Sequence, residues 1–144
     1  MNKSEIGLKT FDGGFNCAQA VLTAYCEDFG LDRETALKLS CGFGGGISRL
    51  GQICGAASAA IMLLGLKHGQ SQPEDKAAKE KTYAEAQEFA RRFKEKNGSL
   101  LCNELLGVDL ITGDRTHAAE RVKTVCPKAV KDAIEIVGEM LAQD

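Results

Sequence analysis

Four of the six cysteines in the chain fall where the sequence predicts the start of a helix: Cys17, Cys54, Cys102 and Cys126. The first turn of a helix has unpaired N–H groups and a partial positive charge, and both favour a thiolate over a thiol. The pattern therefore indicates sulfur chemistry, either at a metal centre or between the sulfurs themselves. In the second case we expect Cys54 to be the attacking thiol, because the start of its helix would activate it.

The spacing of these four cysteines excludes the local cysteine motifs. They come from separate segments, so they form no C-x-x-C-H sequence for covalent haem, no zinc ribbon and no ferredoxin run. If the fold brings all four together as metal ligands, thiolates suit an iron–sulfur cluster, zinc or copper(I), and a redox role favours iron. If they bind no metal, disulfide exchange is their natural use, and four cysteines allow three pairings.

A glycine-rich string, FGGGISRLGQICGA, precedes the most apolar helix. Its candidate binding residues are Gly44, Gly45, Gly46, Arg49 and Gly55. Glycines before a helix can hold a phosphate, and an arginine adds charge. The order of residues matches neither phosphate-binding fingerprint, however, and no strand is predicted before the string. We therefore favour glycines that let the backbone turn tightly beside Cys54, with a small anion near Arg49 as the second interpretation.

Helical periodicity and glycine stops predict an all-α, irregular bundle of five or six helices in a single domain over residues 1–144. Asn16 and Asp32 are predicted to cap the first two helices, and Ser99 a short later one. The stretch VDLITGDRTHAAERVKTV is predicted to be a loop with one helical segment. The last helix is predicted to begin at Pro127, with Cys126 in the cap position. The other helices are expected over 17–29, 32–41, 52–67 and 74–97.

The charge and the apolar stretches of the sequence indicate which classes of partner to expect. A net charge of −2 with interspersed acidic and basic residues argues against nucleic acid as the main partner. The apolar stretch from Ile53 to Leu66 is shorter than the roughly 18 residues that indicate a membrane span. The N-terminal residues lack the apolar region of an export signal, so we expect a cytoplasmic protein. The helix with many small residues makes a homodimer plausible, and a redox role requires a redox partner protein, which the sequence does not identify.

A family resemblance adds to these expectations. The stretches NCAQAVLTAY, FGGGISRLGQICGAASAAIMLLGLKHG, CNELLGVDL and VCPKAV resemble the small C_GCAxxG_C_C family, which is named after its four cysteines. Those cysteines fall on Cys17, Cys54, Cys102 and Cys126, and the final glycine of the family pattern is Ala59 in this chain. The resemblance implies redox activity and supplies no substrate.

Three functions follow from these observations. The first, which we favour, is electron transfer or sensing by an iron–sulfur cluster or another metal held by the four cysteines. The second is a thiol–disulfide oxidoreductase that uses Cys54. The third is a non-catalytic helical module that binds a partner protein. Cys26 and Cys41 lie outside the four-cysteine pattern, and we interpret both as structural, because buried cysteine often behaves as a small hydrophobic residue.

Overall fold

Seven α-helices form most of this chain in a computed structural model that describes residues 1–143. No strand occurs in this part of the chain, so the all-α prediction is confirmed, with one helix more than expected because α1 was not predicted. A 3₁₀ turn at Cys26–Phe29 extends α2, and a single turn at Gly44–Ile47 precedes α4. The helices are α1 (Lys3–Asp12), α2 (Cys17–Tyr25), α3 (Arg33–Cys41), α4 (Gly55–His68), α5 (Lys76–Asn97), α6 (Cys102–Leu106) and α7 (Arg115–Leu141).

Side-chain caps fix the starts of the early helices, as the sequence predicts. Asn16 accepts a hydrogen bond from the Gln19 N–H at 3.0 Å, and the Gln19 side chain accepts one from the Asn16 N–H at 2.9 Å. This reciprocal capping box satisfies two N–H groups that the helix cannot pair itself. Asp32 caps α3 in a similar way, through the Thr35 N–H at 2.9 Å. Ser99 does not cap α6, because its hydroxyl oxygen accepts from the Leu101 N–H outside the helix.

The last helix begins twelve residues before the predicted Pro127. Asp114 caps it through the His117 N–H, and α7 runs without a break from Arg115 to Leu141. The stretch over 108–125, predicted to be a loop with one helical segment, contains such a segment from Arg115 onward, and this segment continues into the predicted last helix. A proline removes one main-chain hydrogen bond, and the remaining bonds of this long helix hold it together. Cys126 consequently lies inside a helix and does not cap one.

The residues before α4 are extended and not helical, which corrects the predicted start at Gln52. Ile53 forms an isolated antiparallel bridge with Leu101. The Cys54 N–H donates to the Leu100 carbonyl at 2.7 Å, and the Cys102 N–H donates to the Gln52 carbonyl at 2.6 Å. These hydrogen bonds tie the segment before α4 to the segment before α6, and so they bring two cysteines near each other.

The core lies between α2, α4, α5 and α7. Helix α4 is apolar around most of its circumference, which is the pattern of a central helix. Its small residues let α2 pack closely against it, and Ala59, which replaces the family glycine, is fully buried in the core. The stacked rings of Phe89 and Phe93, with centroids 5.7 Å apart, close the core on the α5 side. Within residues 1–143, no helix combines the length and apolar character needed to cross a membrane.

Candidate thiol site

One cavity of about 90 Å³ is lined by all four predicted cysteines. Cys17 is the first residue of α2, Cys54 directly precedes α4, and Cys102 is the first residue of α6. Cys126 reaches the cavity from the middle of α7. The structure therefore brings the four sulfurs to one place, from three helix starts and one helix interior.

Aliphatic side chains form most of the remaining cavity wall. They come mainly from α6, α7 and the segment between them. Asn16 also lines the cavity, but its side-chain oxygen and nitrogen are both engaged by hydrogen bonds. The sulfurs thus face an apolar space. The lining residues besides the cysteines are Phe11, Asn16, Gly45, Gly55, Leu105, Leu106, Leu110, Val122, Val125 and Ala129.

Gly55 allows the starts of α2 and α4 to touch. A Cβ at this position would lie 2.5 Å from the Phe43 carbonyl oxygen and 2.8 Å from the Cys17 sulfur. Real Cβ atoms do not approach other atoms so closely, and the Phe43 oxygen belongs to the main chain, which cannot rotate away. The absence of a side chain at Gly55 is therefore what lets the Cys17 sulfur lie against the first turn of α4.

Asn16 fixes the start of α2 against the glycine string. Besides its cap contact, its side-chain nitrogen donates to the Cys41 carbonyl at 2.9 Å. Gly44 packs directly on the same amide, where a Cβ would lie 2.5 Å from the Asn16 nitrogen. This contact holds the glycine string over the N-terminal end of α2, next to Cys17.

The glycine string contains a left-handed turn from Gly45 to Arg49. All five residues have positive φ, including Ile47 at 67° and Ser48 at 49°. An L-residue in this region costs about 1–2 kcal/mol, so three non-glycine residues here represent real strain. The hydroxyl and the main-chain N–H of Ser48 both donate to the Gly42 carbonyl, each at 2.9 Å. These bonds hold the turn, which directs the Gly45 N–H to the Cys17 sulfur.

Cys17 is the most acidic thiol of the site. A hydrogen bond from the Cys54 thiol lowers the pKa of Cys17 to about 7, and burial opposes this effect. Three main-chain N–H groups also donate to the Cys17 sulfur and stabilise its thiolate. They come from the two helix starts and from the glycine turn, and they belong to Ala18, Ala56 and Gly45.

Cys54 keeps its proton. Its hydrogen bond to Cys17, followed by burial and the charge of the Cys17 thiolate, raises the pKa of Cys54 well above its usual range. The pair therefore loses its first proton near neutral pH, and the hydrogen bonds around Cys17 favour the thiolate at that sulfur. The sequence predicts that Cys54 is the attacking thiol, whereas the hydrogen bonds of the site favour Cys17 in that position.

The other two cysteines are much weaker acids. Burial, together with the charge of Cys17, raises the pKa of Cys102 to about 11. Burial and the charges of Cys17 and Cys102 raise the pKa of Cys126 to about 12. Although Cys102 begins α6, no hydrogen bond from the start of this helix lowers its pKa. At neutral pH these two cysteines are therefore neutral thiols beside the Cys17–Cys54 pair.

The remaining predicted binding residues divide into two groups. Gly45 and Gly55 line the cavity, whereas Gly44 and Gly46 are buried behind it, and a Cβ on Gly46 would lie 2.6 Å from the Cβ of Cys102. Arg49 is exposed outside the cavity, with its aliphatic chain against Gly45. The glycines thus have packing roles, and an anion at Arg49 stays a prediction. Outside the cavity, Cys26 is fully buried and Cys41 is exposed; both thiols are free.

The predicted metal centre is not shown by the arrangement of these residues. Within the described part of the chain, no three His, Cys, Asp or Glu side chains are placed so that they could hold a metal ion together. The four sulfurs share a cavity, but they are not grouped as ligands. The site as it stands is a thiolate–thiol pair with two neutral thiols beside it.

Sequence reasoning missed the aliphatic wall. Leu110 and Val122 lie in the stretch predicted to be a loop with one helical segment, whose bounds were not assigned, so neither residue could be placed on a helical face. Asn16 was predicted only as a helix cap. The sequence does contain a signal for this wall, namely the helical spacing of the apolar residues Ala118, Val122 and Val125. These residues share one face of α7, and that face continues as the buried face after Pro127.

Fold and site together define an all-α protein with a buried, hydrogen-bonded thiol pair. The sequence model of one family matches residues 15–140, which is most of the chain, and its description is "Putative redox-active protein (C_GCAxxG_C_C)". The chain belongs to this C_GCAxxG_C_C family. No curated protein and no solved structure shows significant similarity to it.

Proposed function

We propose that this chain is a thiol redox protein in which Cys17 and Cys54 alternate between a thiolate–thiol pair and a disulfide. The observation that carries this proposal is the convergence of the two sulfurs on one cavity, from the starts of two helices that touch at Gly55. A low-pKa thiolate beside a second thiol is the usual arrangement for reversible disulfide formation.

The half-reaction uses only these two side chains. In the reduced state, Cys17 is a thiolate and Cys54 is a thiol. Formation of the sulfur–sulfur bond releases two electrons and the single proton of Cys54. Reduction reverses these steps, and the main-chain N–H groups around Cys17 stabilise the thiolate that forms again. Cys17 therefore takes the nucleophilic role, and Cys54 holds the proton and closes the disulfide.

The iron–sulfur or metal function is the competing proposal, and the convergence of all four cysteines on one cavity supports it. A cluster would require the sulfurs to rearrange, because their present placement forms no ligand group within the described residues. We therefore assign no step to a metal. A cytoplasmic location, a redox partner protein and a homodimer stay predictions from the sequence.

Two measurements on the same sample distinguish these proposals. Protein purified without oxygen is analysed for iron, zinc and acid-labile sulfide. It is then held in mixtures of reduced and oxidised dithiothreitol until its thiol content stops changing, so that slow access to the buried pair does not limit the result. We expect no stoichiometric metal and one reversible two-electron transition. Stoichiometric iron and sulfide, or the absence of any reversible transition, would contradict a thiol redox function.

A further inference from the structure

The Cys17–Cys54 pair is too deeply buried for a large oxidant. Cys17 exposes 8% of its surface and Cys54 exposes 6%. The cavity in front of them has a volume of about 90 Å³, whereas an engineered cavity of about 150 Å³ holds one benzene molecule. A disulfide of a protein or of glutathione must bring its own sulfur into line with the attacking sulfur. These walls leave room for a reactant smaller than benzene.

The charge and polarity of the cavity select against anions. Its described lining residues include no lysine, arginine or histidine, and most are aliphatic. Attack requires a thiolate, which places one negative charge there, and a second charge would lack compensation in an apolar environment. The reactant is therefore small and uncharged, and a short alkyl group on it would be tolerated.

The pair also provides the proton that one class of oxidant needs. When a thiolate attacks the O–O bond of a hydroperoxide, the leaving oxygen develops negative charge and requires a proton. Cys17 and Cys54 line the same cavity, and the helix starts that hold them touch at Gly55, so the Cys54 thiol lies next to the reacting centre and can donate its proton. The same residue is already in place to close the disulfide afterwards.

We propose that the oxidant of the Cys17–Cys54 pair is a small uncharged hydroperoxide, such as hydrogen peroxide or a short alkyl hydroperoxide. This inference rests on the proposed thiol redox function and names its substrate class. The Cys17 thiolate attacks one peroxide oxygen, the O–O bond breaks, and the leaving oxygen takes the Cys54 proton to form water or an alcohol. Cys17 is now a sulfenic acid. The Cys54 thiolate attacks its sulfur, the disulfide forms, and hydroxide leaves.

The exposed Cys41 is an internal reference for the test. Reduced protein is mixed without oxygen with excess hydrogen peroxide or, separately, with glutathione disulfide. After quenching and alkylation, mass spectrometry follows Cys17 and Cys41 in the same sample. When each rate is divided by the thiolate fraction of that cysteine, Cys17 should react with peroxide about 100-fold faster than Cys41. The reason is that a positioned acid contributes roughly 10²–10⁴-fold. With glutathione disulfide, Cys41 should be the faster of the two.

Two variants examine the roles of the proton and of the cavity. Cys54→Ala should slow the attack of Cys17 on peroxide by about 100-fold per thiolate and leave a sulfenic acid, which mass spectrometry detects as one added oxygen on Cys17. Cys54→Ser, which retains an O–H donor, should recover part of the rate. Leu110→Ala should widen the cavity and raise the rate with cumene hydroperoxide, relative to hydrogen peroxide, by roughly tenfold. Cys41→Ser should leave both peroxide rates at Cys17 unchanged.

The outcomes separate this inference from the proposed function. If Cys17 reacts with peroxide no faster than Cys41, or reacts equally well with glutathione disulfide, the hydroperoxide assignment is overturned and the thiol redox function stands. If neither reagent nor the general thiol oxidant diamide yields a Cys17–Cys54 disulfide in folded protein, the proposed function fails as well.

Discussion

Cysteines on the two sides of the cavity differ in acidity: Cys17 has a lowered pKa, and Cys102 and Cys126 have raised pKa values. On the α2–α4 side, the pKa of Cys17 falls to about 7. On the α6–α7 side, the pKa values of Cys102 and Cys126 rise to about 11 and about 12. Burial raises the pKa of all three, so burial cannot be the cause of the difference. The cause is the set of hydrogen bonds that the Cys17 sulfur accepts, first from the Cys54 thiol and then from main-chain N–H groups, whereas no such bond lowers the pKa of Cys102 or Cys126.

The donors depend on glycines on one side only. Gly55 lets two helix starts touch, and the left-handed turn at Gly45 adds a third donor from the loop. The α6–α7 side has no equivalent, because α6 is short and Cys126 lies in a helix interior where the N–H groups are already paired. A cysteine at a helix start is therefore not sufficient for a thiolate, and close approach of a second helix is also needed.

The largest expected effect comes from removing either member of the pair. Cys17→Ser or Cys54→Ser should abolish the two-electron transition in the dithiothreitol titration, because no partner sulfur remains. Cys102→Ser and Cys126→Ser should retain the transition with a shifted midpoint, and Cys41→Ser is the control for loss of an unrelated thiol. An equal loss in Cys126→Ser would remove the distinction between the two sides of the cavity.

The pH dependence of alkylation gives a second contrast. Cys17 should react with a small neutral alkylating reagent with a midpoint at about pH 7, and its rate should fall as the pH drops below this value. At pH 7 the thiolate fraction of Cys17 exceeds that of Cys102 by about 10³–10⁴-fold. The thiolate of the more acidic thiol is a weaker nucleophile, which reduces this advantage in rate by about 10²-fold.

We therefore expect Cys17 to be alkylated roughly 100-fold faster than Cys102 at pH 7, as measured by mass spectrometry of time points. In Cys54→Ala the midpoint for Cys17 should move to higher pH, because the largest contribution to the low pKa has been removed. A midpoint near pH 9 in the unaltered protein would show that the Cys17 thiolate lacks the stabilisation described above.

Two glycines of α4 provide a matched test of the helix contact. Gly55→Ala introduces a Cβ in collision with the Phe43 carbonyl oxygen and should lower the free energy of unfolding by about 1–3 kcal/mol. Gly65 has open space around its Cβ position, so Gly65→Ala should raise the free energy of unfolding by about 0.5–1 kcal/mol. Urea denaturation of the reduced proteins measures both changes. Equal effects at the two positions would argue against the close approach of α2 and α4.

The smallest expected effect concerns the left-handed turn from Gly45 to Arg49. Ile47 is a β-branched residue with φ of 67°, so Ile47→Gly should relieve strain and raise the free energy of unfolding by up to about 1 kcal/mol. Leu50 is similarly exposed, but its φ is not positive, and Leu50→Gly should be destabilising by about 0.5–1 kcal/mol. Destabilisation by Ile47→Gly would indicate that this turn is not left-handed in solution.

Local signals predicted most of the fold and part of the site. Asn16 and Asp32 fixed two helix starts correctly because a cap acts on the residues next to it. Pro127 misled the prediction, since proline suits a helix start but is tolerated within a long helix that the surrounding packing supports. The four sulfurs could be chosen from the sequence. Their different acidities could not, because these depend on contacts between distant segments, such as Gly55 with Cys17.

The most direct test of the central claim is the identity of the first disulfide. Reduced, folded protein is treated without oxygen with one equivalent of hydrogen peroxide, which is small enough to enter the cavity, the remaining thiols are alkylated, and the disulfide peptides are mapped by mass spectrometry. We predict a bond between Cys17 and Cys54, with Cys102 and Cys126 still reduced. A first disulfide between Cys102 and Cys126, or an even mixture of pairings, would contradict the account.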